Sequence, residues 1–161
     1  MEEKGTVHKL HAKNIEICVD GYWLRHYAED FLSAAITFDV PKNRFSPIPY
    51  YLICHSIELS LKSYLFTAGF SKKDRKKMSH DLVHALREAQ GNGIGHYIVI
   101  SSMETEAVFR ANQLYSRKEF EYFESLETIY DPHDFDIEVL KSLARRLIES
   151  IENPVYHSIH S

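Results

Sequence analysis

The chain has 161 residues, 44% of them hydrophobic and 26% charged, with a formal net charge of −4 at pH 7. That length buries a core as one domain without staples, and the acidic balance excludes a protein whose whole surface is built to grip nucleic acid. Cys18 and Cys54 are too few for a disulfide framework or a zinc ribbon and fit a reducing compartment.

Residues 1–21 carry no clean hydrophobic period and read as an N-terminal arm. MEEKGTVHKL at its start lacks the apolar run of a signal peptide, and no stretch approaches transmembrane length. A cytoplasmic protein with no membrane contact is therefore expected. The helical bundle spans 22–152. Gly21 precedes a helix over Tyr22–Val40, where Leu24, Ala28, Phe31, Ala35 and Phe38 recur at three- and four-residue steps and make one apolar face. Pro41 and the KNRFSP that follows break it. A second helix opens at Pro47 or Pro49, since proline is accepted in a first turn, and runs to Ala68 with Gly69 as a left-handed terminator. Leu52, Ile53, Ile57, Leu59, Leu61, Leu65 and Phe66 lie nearly all round it, which marks it as the central helix.

Ser71 or Ser79 caps the next helical pieces, whose buried stripe is Leu82, Ala85, Leu86 and Ala89, and GNGIG (Gly91–Gly95) ends them. His96–Ile100 has the composition of a strand but no partner to pair with, so it reads as an extended connection on the core. Ser101 and Glu104 have the pattern of a capping box and start a helix through Tyr115. Arg117–Tyr130 is aromatic-rich and reads as a short helix or a wrapped loop. Asp136 caps a last helix to Glu152, with Val139 or Leu140, Leu143, Leu147 and Ile151 facing inward. Pro154 ends it and leaves 153–161 as a C-terminal tail. The expected fold is all-α, a single antiparallel bundle of about five helices.

One set of polar residues interrupts this apolar pattern. His55, Glu58 and Lys62 in HSIELSLK share or adjoin one helical face, and His80 and Asp81 open the following SHDLVHAL. Isolated charges inside a bundle are costly, so the group needs internal partners or a ligand. One reading is a satisfied network that pins the hairpin. The other is a site for an anion or phosphate, with Lys62 as the point charge. Between these segments, Lys72, Lys73, Arg75, Lys76 and Lys77 form a basic hinge, the place to contact nucleic-acid phosphate. An acidic stretch from Glu119 to Glu138 could instead receive it, and solvated charge accounts for both runs.

HDLVH resembles a two-histidine metal motif, with His80 and His84 four apart and Glu88 one turn on as a third ligand. Its aspartate is shorter than the glutamate such a site uses on metal-bound water. His8, His11, His157 and His160 fall in the terminal segments and read as solvated. Cys54 reads as core. Tyr115, Phe120, Tyr122 and Phe123 are candidates for stacking bases, with core or dimer packing as the alternative. GNGIG lacks a preceding strand and a phosphate-binding lysine, so it is a helix stop and no cofactor is expected.

The run HSIELSLKSYLFTAGF, a polar hinge and SHDLVHALREA, followed by Leu114-Tyr115-Ser116-Arg117-Lys118 with aromatics and a closing helix, resembles the HEPN superfamily of bacterial helical domains over residues 22–152. The resemblance implies a bundle of four or five helices, often a homodimer, in stress-response, toxin–antitoxin or phage-defence systems. Many members bind or cleave RNA, and some partner with a minimal nucleotidyltransferase. Cleaving members carry an arginine followed four to six residues later by a histidine, late in the bundle. Here Arg110 and Arg117 occupy that region, but the next histidine is His133. Arg75 and His80 have the spacing, at the hinge instead. The expected function is a non-catalytic module for RNA, nucleotide or protein interaction. A metal-independent ribonuclease using Arg75 and His80 is the alternative, and a metal-dependent hydrolase at His80 and His84 the third.

Overall fold

Specific side chains set the helix boundaries in the structure, a computed structural model that describes residues 20–121 and 135–160. Asp20 accepts from the Trp23 amide and starts α1 (Gly21–Thr37). Pro47 and Pro49 open α2 (Ile48–Thr67), which closes at Gly69, φ 88°, with the Phe70 amide on the Leu65 carbonyl and the Gly69 amide on Phe66. Ser71 and Asp74 form a capping box on the short α3 (Lys72–Lys77). Asp81, rather than Ser79, caps α4 (Leu82–Gly91). A single 3-10 turn at Ile94–His96 leads through an extended connection, with Ile98 buried, to α5 (Ser102–Tyr115), started by the expected Ser101–Glu104 box. Asp136 caps α6 (Ile137–Ser150), and α7 (Glu152–His160) follows. Among the described residues the fold is all-α, a bundle packed around one core.

α2 is the axis, in contact with every other helix. Its buried Ile53, Ile57, Leu61 and Leu65 meet Leu82 and Leu86 of α4, Leu140, Leu143 and Leu147 of α6, and Val155 of α7 in one apolar cluster. The α1–α2 seam is built differently, from small residues and hydroxyls. Ser56 donates to the Ala28 carbonyl at 2.7 Å and Ser63 to the Gly21 carbonyl at 2.6 Å. A Cβ on Gly21 would stand 3.1 Å from the Ser63 carbonyl oxygen and 3.2 Å from the Phe66 ring, so any larger residue would press the two helices apart by a few tenths of an ångström.

Two expectations change. The buried stripe of α1 is Gly21, Arg25, Ala28, Leu32 and Ala35, rotated from the purely apolar face on Leu24. Arg25 is accepted there because its Nε donates to the Ile148 carbonyl at 3.0 Å and its guanidinium lies 3.5 Å from both Glu29 and Glu152. At the C-terminal end, Pro154 does not stop the chain. It falls in the first turn of α7, where a missing amide costs nothing, and Val155 beyond it is buried. His157 and His160 therefore belong to a helix and not to a tail. The expectations placed on His8, His11, Cys18, Tyr122, Phe123 and His133 lie outside the described residues. No described helix is long and apolar enough to cross a membrane.

Candidate functional site

The helical steps from 55 to 58 to 62 put His55, Glu58 and Lys62 along one side of α2, and two other elements complete the group. His80 arrives from the turn between α3 and α4, where Ser79 adopts φ 47°, a left-handed conformation unusual for a residue with a Cβ. Tyr115 arrives from the last position of α5. At the centre is the Glu58 carboxylate, its side chain only 3% exposed. Lys62 Nζ donates to Oε1 at 2.5 Å and to the Ser79 carbonyl at 2.7 Å, so one ammonium fastens both the carboxylate and the left-handed turn. The Tyr115 hydroxyl donates to Oε2, and His80 Nδ1 lies 3.1 Å from the same oxygen.

Hydrogen-bond complementarity assigns the imidazole protons. The one proton of the Tyr115 hydroxyl goes to Glu58, so its oxygen accepts from His55 Nδ1 at 2.8 Å. His80 Nδ1 faces a carboxylate and therefore also carries a proton. In both rings Nε2 is left for other partners. The His55 ring is held by Phe31, edge-on at 4.4 Å, and stacks on Tyr51 at 5.7 Å.

Burial alone would raise the Glu58 pKa. The His55 imidazole 3.5 Å from Oε2, the charge and hydrogen bond of Lys62 and the hydrogen bond of Tyr115 outweigh it and bring the carboxyl down to about 2. Burial, then the Glu58 charge, pushes the Tyr115 hydroxyl up, so it remains a proton donor. The same two causes raise the Cys54 thiol, which is fully buried and fits the core role read from its helix.

Asp81 is not part of this hub. Its Oδ1 accepts from the His84 amide at 3.0 Å and from Asn112 Nδ2 at 3.0 Å, while Asn112 Oδ1 takes the Leu82 amide at 2.8 Å. It is a helix cap tied to α5. Asn112 and the polar role of Tyr115 are the residues that sequence reasoning misses. The available signal is a polar residue three positions before a buried tyrosine on the inward side of α5.

The basic hinge divides. Lys72, Lys73, Lys76 and Lys77 are exposed on α3, and Lys77 is 3.3 Å from Asp74. Arg75 instead turns inward. Its guanidinium donates to the Phe70 carbonyl, sits 4.7 Å over the Phe66 ring and leaves the residue 8% exposed. Arg75 and His80 are thus engaged with different partners.

The metal motif also changes. His80 precedes the cap Asp81 and lies outside α4, so it does not share a helical face with His84, whose Nε2 pairs instead with Glu88 at 3.6 Å. Among the described residues, the set with metal-ligand spacing is His55, Glu58 and His80, with one ligand atom from each within 4.8 Å of the others. Both Glu58 oxygens are already engaged, and the Lys62 ammonium on Oε1 opposes a cation. The Glu58 carboxylate and the Tyr115 hydroxyl are satisfied by side chains, while Nε2 of His55 and of His80 stays open. No family model matches the chain, and no curated protein or solved structure matches it.

Proposed function

We propose that the chain is a HEPN-like, non-catalytic module that associates with RNA through the lysines of α3, working as a homodimer or with a partner protein in a bacterial stress or defence system. The observation that carries this reading is the division of the basic hinge. The arginine is spent on the fold, while Lys72, Lys73, Lys76 and Lys77 stand in solvent on a helix clamped to the bundle through Lys62 and the Ser79 carbonyl. Ammonium groups bind phosphate as point charges without the planar fork of arginine, so the contact holds a backbone and does not read bases. The hub contributes position: it holds the turn that follows α3 against α2. The non-catalytic part of the reading rests on the separate engagement of Arg75 and His80 and on a Glu58 carboxylate already saturated by internal donors.

The test is RNA binding and cleavage by the purified chain across a salt series. Four lysine contacts to single-stranded RNA give a slope of about −3 in log K against log salt. Replacing Lys72, Lys73, Lys76 and Lys77 by Ala should flatten that slope and leave the thermal midpoint in place. Cleavage that disappears in His80→Ala would overturn the non-catalytic reading. Binding unchanged in the four-lysine variant would overturn the assignment to α3.

A further inference from the structure

A pocket of about 450 Å³ opens where the end of α1, the 38–47 connection and the N-termini of α2 and α6 meet. That volume falls within the usual small-molecule range of roughly 300–1,000 Å³. Its walls are apolar, with Ile36, Phe38, Pro49, Tyr50 and Ile137. Two polar features break them. Ser46 is 3% exposed, and its hydroxyl has no hydrogen-bond partner among the described residues. A buried hydroxyl without a partner is disfavoured, and a ligand acceptor would satisfy it. The second feature is charge. Glu138 and Lys141, both in the lining, neutralise each other at 2.6 Å, whereas Arg44, exposed at the rim, makes no ion pair among the described residues.

From this combination we infer that the pocket is a binding site for a small amphipathic carboxylate, its apolar body against Ile36, Phe38 and Tyr50 and its anionic head shared between Arg44 and the Ser46 hydroxyl. The site is independent of the basic helix and of the Glu58 hub, and it adds a ligand-responsive surface to a chain otherwise read as an RNA-associated module.

The probe is decanoate, titrated calorimetrically into the full chain, with decanol as the neutral control of equal chain length. Wild type should bind decanoate more tightly than decanol. Arg44→Gln should weaken decanoate roughly tenfold and leave decanol unchanged. Ser46→Ala gives a signature that a merely structural role would not. It should raise the thermal midpoint of the free protein, because an unsatisfied group is removed, while lowering decanoate affinity. Ile36→Glu, at a half-exposed position of the wall, should abolish decanoate binding without unfolding the chain. The inference is overturned if neither probe binds. It is also overturned if both bind equally and Arg44→Gln changes nothing, or if the chain is a dimer that Ile36→Glu dissociates, since a second copy would then be the occupant.

Discussion

Glu58→Gln keeps the shape of the hub and removes its charge. The carboxyl is brought from an ordinary 4.5 to about 2 in the folded protein. At about 1.4 kcal/mol per pKa unit, the ionised form contributes about 3 kcal/mol to stability. Because the folded value is the depressed one, that contribution is complete above pH 4.5 and is lost as the pH falls toward 2. Glu58→Gln should therefore cost about 3 kcal/mol at pH 7, read from urea unfolding with an unchanged m-value. It should also unfold less steeply in acid, because the group whose protonation drives part of the wild-type acid limb is gone. A second arm separates charge from packing. Lys62→Met alone strands a buried carboxylate and should cost about 3 kcal/mol or more, whereas Glu58→Gln with Lys62→Met should cost clearly less than the two singles added. A Glu58→Gln effect under about 0.5 kcal/mol at pH 7, with the acid limb unchanged, would refute the hub as a stabilising network.

Tyr115→Phe removes the donor to Glu58 and the acceptor for His55 together. It should cost about 1–3 kcal/mol and move the acid unfolding limb to higher pH, measured by circular dichroism from pH 2 to 7. Ser79→Gly relieves a left-handed residue while keeping the carbonyl that Lys62 uses, so a gain of about 0.5–1 kcal/mol is expected in urea unfolding. Arg75→Gln should destabilise by about 1–2 kcal/mol while leaving the salt slope of RNA binding as in wild type, because this side chain faces inward. Zinc should give His84→Ala and wild type the same thermal shift, and any stabilisation it does give should vanish in His55→Ala.

Local chemistry is well written into this sequence, and long-range chemistry is not. The capping box at Ser101, the glycine stop at Gly69 and the all-round apolar surface of α2 depend on neighbours a few residues away, and the structure matches them. His55, Glu58 and Lys62 are legible for the same reason. Tyr115 joins His55 across 60 positions, and a tyrosine ending a helix looks like core until its hydroxyl has a partner. Arg25 reads as a surface charge until the Ile148 carbonyl, 123 positions on, accepts from it. Asp81 looks equivalent to Glu58 because both are acids beside a histidine. Only the location of the α4 N-terminus shows that one caps a helix and the other is buried. Pro154 turns on register: one turn earlier it would break α6, and where it stands it helps to start α7.

The clamp between Lys62 and Ser79 also bears on how the molecule comes apart. α3 is a helix of six residues whose buried attachments are Arg75 and, just beyond it, Met78. Its amides should exchange with solvent long before those of α2, in a local opening far cheaper than global unfolding. Among the described helices, trypsin should accordingly nick the native chain first at the α3 lysines. The two fragments should stay together, since the α1–α2 seam and the α4, α5 and α6 contacts lie on either side of the cut and meet in the same core. Breaking the Lys62 contact should speed the nick in proportion to the opening it permits, making the rate of cleavage a gauge of the hub's hold on its neighbour.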